Sequence, residues 1–175
     1  MGSEGISAVS DAGPLIHLTE IDCLPLLRVF DTIHIPDAVW SETVERGRTP
    51  QTEVLRSGNI QRHALSQVEI ARFIEENGLE GLQAGESECL YLCRLISVPI
   101  LLTDDLAVRK AAKRLSLTPV GSLGVVVRAY RVGHIPLAEA ERRIVELYDV
   151  SSLFVTRAIV ELAIEQLHIH ANQSP

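Results

Sequence analysis

Acidic residues stand where an α/β chain usually does its chemistry. Asp11 closes a short run of small and β-branched residues, Ile6 to Ser10, and is followed at once by Gly13 and Pro14. Asp104 and Asp105 close a strongly apolar run, Val98 to Thr103. Glu42 lies one to two helical turns beyond a third run, Thr32 to Ile35, and Glu86 with Glu88 opens a helical stretch leading into Val98. In open α/β sheets ligands bind beyond the carboxyl ends of the strands, so acids from distant parts of the chain could converge there. Carboxylates packed together raise one another's pKa and destabilise the fold unless a cation offsets them. Mg²⁺ suits such a group: it prefers hard oxygen ligands, keeps several waters and binds through a few carboxylates plus substrate phosphate. Mn²⁺ accepts the same ligands. Metal-assisted phosphodiester hydrolysis then needs no serine, cysteine or histidine nucleophile. Each acid also has an ordinary role open to it, since an Asp after a strand often caps the next helix and a Glu on a helix usually faces water.

The elements that must position these acids alternate. Ile6 to Ser10 reads as a strand, followed by a tight turn and an apolar-periodic helix. Thr32 to Ile35 is a second strand stopped by Pro36, which suits the start of a helix over Asp37 to Val44. Ile60 to Ala64 is a weak extended segment. Ser66 to Asn77 reads as a helix capped by Ser66 with Glu69 three residues on, ended by Gly78. Gly85 to Ile96 is a helix, Val98 to Thr103 a fully buried strand, Leu106 to Leu115 an amphipathic helix and Thr118 to Val120 an edge-like strand. A turn over Gly121 to Gly124 precedes a helix over Val125 to Val132. This alternation predicts βαβ units in a mostly parallel sheet with helices on both faces, a three-layer α/β/α architecture. Beyond Gly133 the pattern is helical only, Leu137 to Tyr148 and then Ser152 to Leu167. The second is apolar nearly all round, which predicts a buried helix, with a second subunit as one possible cover.

The runs Val9-Ser10-Asp11-Ala12-Gly13-Pro14-Leu15-Ile16, Pro36-Asp37-Ala38-Val39-Trp40-Ser41-Glu42, Ala84-Gly85-Glu86-Ser87-Glu88-Cys89 and Leu101-Leu102-Thr103-Asp104-Asp105-Leu106-Ala107-Val108-Arg109 resemble, in order and spacing, those of PIN-domain proteins. The similarity runs from residue 6 to about 132, and residues 149 to 167 resemble the helical tail of a prokaryotic PIN branch related to VapC toxins. That resemblance implies one PIN-like domain, with a core over about 6–132 and a helical extension over about 133–170. It implies a Mg²⁺- or Mn²⁺-dependent ribonuclease whose metal-coordinating acids are Asp11, Glu42, Glu86 and a strand-end Asp. A Thr-x-Asp reading selects Asp105, with the Thr103 hydroxyl nearby, while Asp104 remains as substitute or assistant and Glu88 as second choice beside Glu86. The expected partners are RNA, a small antitoxin protein and a second copy of the chain. The rival expectation is a PIN-like fold kept as a binding or assembly module without activity.

Arg109, Lys110, Lys113 and Arg114 follow Asp105 at positions i, i+1, i+4 and i+5, a basic stripe along which phosphates could track, or simply a solvated helix face. Arg46 and Arg48 form a weaker second candidate. Trp40 reads as core. The few aromatics are not interleaved with basic residues, so no stacking surface is visible. His17 and His34 sit among apolar residues and read as interior or edge histidines. The net charge of -7 argues against a general basic surface for long nucleic acid. At 175 residues and 46% hydrophobic the chain can bury a sizeable core. Its longest apolar stretches fall short of the roughly 20 residues a membrane span needs, and Met1 to Ser10 lacks the basic start of a secretory leader. A cytoplasmic location follows as the default, and Cys23, Cys89 and Cys93 are expected reduced and buried.

Overall fold

The structure, a computed structural model, describes residues 5–173; residues 1–4, part of the segment on which the leaderless start was read, lie outside it. Strand β1 (Ser7–Ser10) is central. It pairs in parallel with β2 (Thr32–Pro36) on one side and β4 (Ile100–Leu102) on the other. β3 (Ile60–His63) lies outside β2 and β5 (Thr118–Val120) outside β4, giving the all-parallel order β3-β2-β1-β4-β5. Ala8, Val9, Ile33, Ile35, Leu101 and Leu102 are essentially inaccessible, as strands covered on both faces must be.

Helices supply the two covers. α4 (Gln67–Asn77) and α5 (Ala84–Leu95) carry the chain back from β3 to β4, with α5 packed on β1, β2 and β4. α1 (Ala12–Glu20) and α7 (Ser122–Arg131) pack together on the other side with the 3₁₀ turn Leu24–Val29. The result is a three-layer α/β/α sandwich. From β1 the chain first winds outward through β2 to β3, then crosses back to β4 and outward to β5. The switch point therefore falls between β1 and β4, where a ligand cleft forms between loops that diverge.

Several expectations need correction. The turn read over Gly121 to Gly124 is mostly helix: α7 begins at Ser122, and Gly124 lies inside it at a position where a Cβ would come within 2.9 Å of Val120 Cγ1. A helix was missed altogether. α3 (Gln51–Ser57) is polar apart from Val54 and Leu55, of which only Val54 is buried, so it carries no periodic signal. The C-terminal helices are α8 (Leu137–Asp149) and α9 (Arg157–Gln173), packed on α7 and on each other. α9 starts five residues later than the sequence suggests and runs on past Leu167 through His168 and His170. It buries one face through Val160 and Leu167, while Ile159 and Leu162 are exposed, so the expected all-round burial is not found within the chain.

At the outer end of the sheet His34 Nδ1 and His63 Nε2 lie 2.9 Å apart. Burial lowers both pKa values, and each ring's proximity to the other adds to this for His34. A histidine whose folded pKa is lowered binds its proton less well than the unfolded chain does. Its contribution is complete above the unfolded pKa near 6.5 and lost as pH falls through the folded value. Between pH 7.5 and 5, paired thermal melts should show wild type losing stability relative to His63→Gln as pH falls; parallel profiles in the two proteins would refute this.

Candidate active site

Four segments deliver acids to one pocket at the switch point. A cavity of about 320 Å³ is lined by Asp11, Glu42, Glu86, Asp104 and Asp105, with Gly13, His17, Gln83 and the segment Ser152 to Phe154. A larger cavity of about 410 Å³ opens at the other edge, around Phe73, Cys93, Pro99 and Leu117, and no acid lines it.

Asp11 is bound into the sheet core. Its backbone N–H donates to Leu102 O (2.9 Å), tying the ends of β1 and β4 together. One carboxylate oxygen caps α1 at Ala12 N (2.8 Å), and the other accepts from Thr103 Oγ1 (3.1 Å). Burial pushes its pKa up to about 6; these two hydrogen bonds hold it down in part, and the charges of Glu86 and Glu42 push it further up. Two distant glutamates therefore act electrostatically on Asp11. Thr103, fully buried, also accepts from Asp105 N (3.3 Å), so its hydroxyl spans the two strand-end acids. Asp105 sits in the N-cap of α6 (Leu106–Arg114), where one oxygen accepts from Ala107 N and Val108 N at 2.7 and 2.9 Å.

The other two acids come from helices. Glu86 reaches back to the N–H of Gln83 (2.8 Å) in a capping box at the start of α5. Burial raises its pKa, with Asp105 and Glu42 adding to the effect. Glu42 lies in a π-helical turn, Ser41–Glu45, that continues the short α2 (Asp37–Trp40). Such turns re-aim side chains and recur at functional sites. Glu42 lies against the start of α5, where a Cβ at Gly85 would be in ordinary contact with its Oε2 at 3.7 Å.

Three sequence assignments are placed differently. Asp104 is already engaged: Ser122 N and Ser122 Oγ donate to it at 2.7 and 2.5 Å, and His17 Nδ1 at 2.7 Å. This clamps the β4 end to α1 and α7 and orients His17, read from sequence as an ordinary interior histidine, so that it lines the pocket. The serine hydroxyl gives its proton to the carboxylate and not to the imidazole, so the trio is no nucleophile-activating triad. Glu88 points away from the pocket into the protein, accepting from Gln67 Nε2 (3.2 Å) and Ala38 N (3.4 Å), neither ligand nor solvent-facing. The basic stripe is broken, because Arg109 turns back to Thr103 O (3.2 Å) and Arg114 to Asn77 O (2.9 Å), leaving Lys110 and Lys113 exposed. Trp40 is half-buried with the Arg62 guanidinium over its ring. The cysteines are buried thiols, with burial pushing Cys23 up to about 11 and Cys93 up to about 12.

The Asp104 clamp makes Gly121 obligatory for a reason other than backbone freedom. A Cβ there would stand 2.8 Å from Oδ1 of the Asp104 carboxylate, a group that three donors hold in place, and 3.4 Å from Arg109 Nη1. Gly121→Ala should cost about 2 kcal/mol by overpacking. Chemical denaturation checks this, and an unchanged midpoint would contradict it.

Carboxylate oxygens with raised pKa values are the donor chemistry of a hard divalent cation. Among the described residues, no three His, Cys, Asp or Glu side chains are grouped closely enough to enclose an ion by themselves. Mg²⁺ keeps several waters and needs only one or two direct carboxylates, so the pocket fits a hydrated ion and not a fully protein-bound one.

The fold and pocket together define a three-layer α/β domain that gathers acids at its switch point. A family model described as a PIN domain matches residues 7–168, and the chain belongs to the PIN-domain family. No curated protein and no solved structure matches it significantly. PIN domains are in general nucleases that act on nucleic acid and commonly use divalent metals. Among the described residues no helix is long and apolar enough to cross a membrane.

Proposed function

We propose that this chain is a metal-dependent endoribonuclease that hydrolyses RNA phosphodiester bonds, with Asp11, Glu42, Glu86 and Asp105 as its site acids and Mg²⁺ or Mn²⁺ as its cofactor. One observation carries the reading: carboxylates from four separate segments line a single pocket beyond the ends of β1 and β4. The chemistry such a cation would supply there is activation of water and stabilisation of the leaving oxygen. Asp11 and Asp105 would be its principal holders, aligned by the Thr103 hydroxyl between them. Glu42 and Glu86 complete the negative wall. Asp104 is left out of the ligand set because its oxygens are committed to Ser122 and His17. Lys110 and Lys113, exposed on α6 beyond Asp105, would hold the RNA backbone without reading its sequence. The wider proposal is the toxin half of a toxin and antitoxin pair in the cytoplasm, working as a homodimer through the exposed apolar face of α9. Incubation of single-stranded RNA with Mg²⁺ or Mn²⁺ tests the core of it: cleavage that persists in chelator refutes the mechanism.

A second reading, a PIN fold kept as a binding or assembly module, is favoured by the absence of a closed metal-ligand group among the described residues. Native-state ligands raise the melting temperature. No rise with either ion would favour the module.

A further inference from the structure

Phe154 is the most exposed large apolar side chain of the described residues, at 96%, and it lines the same pocket as Asp11, Glu42, Glu86 and Asp105. An isolated exposed apolar residue ordinarily needs no explanation. This one is held outward by its neighbours. Ser152 N and Ser152 Oγ donate to the Glu20 carboxylate at 2.7 and 2.8 Å. Ser151 Oγ donates to Leu147 O (2.5 Å) and accepts from Leu153 N (3.1 Å). Leu153, only 7% exposed, takes the inward position, while Phe154 faces out.

We propose that Phe154 is a stacking surface for an unpaired base beside the phosphate being cut, which makes the substrate single-stranded RNA. This rests on the nuclease reading above. Three observations lead to it. The acids at the back of the pocket suit a phosphate with its cation, and the aromatic face stands at the same pocket, where the attached nucleoside must lie. Electrostatic grip on the backbone is thin, since the chain carries a net charge of -7 and two arginines of the α6 stripe are turned to carbonyls. Stacking supplies affinity without charge and accepts any base, because every base has a π-face. A base inside a duplex is already stacked on its neighbours and cannot use the ring.

The experiment combines cleavage kinetics with equilibrium binding, using a single-stranded oligoribonucleotide that carries 2-aminopurine at successive positions. In wild type, fluorescence is quenched on binding at one position, next to the cleaved bond. Phe154→Ala abolishes that quenching and raises KM about tenfold with kcat unchanged, within the range that loss of one stacked base gives; Phe154→Trp restores both. An abasic nucleotide at the quenched position raises KM for wild type but not further for Phe154→Ala. A Phe154→Ala protein with unaltered KM and quenching overturns the proposal while leaving the nuclease standing. Quenching that depends on Phe154 without any cleavage upholds stacking and removes the nuclease reading. Unaltered RNA handling with dissociation of a dimer in sedimentation assigns the ring to a second copy and also overturns it.

Discussion

Asp11→Asn is expected to abolish RNA cleavage, by at least about a thousandfold, and at the same time to make the metal-free protein more stable. The two effects have one cause. Asp11 is buried, and burial with the charges of Glu86 and Glu42 holds its pKa at about 6, above the ordinary 3.8. A carboxyl with a raised folded pKa binds its proton more tightly in the folded chain than in the unfolded one. Stability is therefore full below the unfolded pKa, falls as pH rises from about 4 to about 6, and stays low above. This rise corresponds to about 3 kcal/mol at neutral pH as an upper figure. Asparagine removes the charge while keeping an acceptor for Ala12 N, so about 2 kcal/mol should be recovered, on the order of 5 °C in melting temperature for a chain of this length. Mg²⁺ or Mn²⁺ should raise the melting temperature of wild type and leave Asp11→Asn nearly unmoved. A variant that melts lower than wild type without metal, or that still cuts RNA, contradicts this account.

The adjacent acids Asp104 and Asp105 should separate stability from activity. Asp104→Ala strands the Ser122 amide and hydroxyl and the His17 ring at a largely buried position, 12% exposed at the Asp104 side chain. Leaving buried partners unsatisfied costs about 3 kcal/mol in total, which should lower the melting temperature by roughly 6–12 °C. The surviving folded fraction should retain ion-induced stabilisation. Asp105→Ala loses a helix cap worth about 1 kcal/mol yet should lose cleavage as completely as Asp11→Asn. Differential scanning calorimetry beside single-turnover cleavage reads both. The reverse pattern, an inactive but stable Asp104→Ala, would make Asp104 the strand-end ligand.

Why the two could not be told apart in the sequence is instructive. The pattern apolar run, then Asp, then amphipathic helix is local, and it located β1 and β4 together with the acids at their ends. Both neighbouring acids line the pocket, and which of them is taken up by other side chains depends on a partner far along the chain, here Ser122, and no spacing rule reaches that far. Glu86 and Glu88 differ in the same way, because Gln67 and Ala38 from other elements take up Glu88. His17 reads as an interior histidine until Asp104, 87 residues later, is brought against it. α3 left no trace because a helix with one buried residue has no apolar face to betray it. Phe154 falls in a stretch read as helix although the helix starts at Arg157, since an anchored loop with apolar residues has the same composition as a buried helical turn.

The bond from Asp11 N to Leu102 O, with the Thr103 bridge beside it, gives the pocket two unequal walls. One wall is continuous with the central strands and can be lost only when the whole molecule melts. The opposite wall stands on a π turn and a helix cap, elements that open at far lower energetic cost. Prying Glu42 and Glu86 aside would silence such an enzyme while its core stayed intact, so an inhibitor has no need to unfold it.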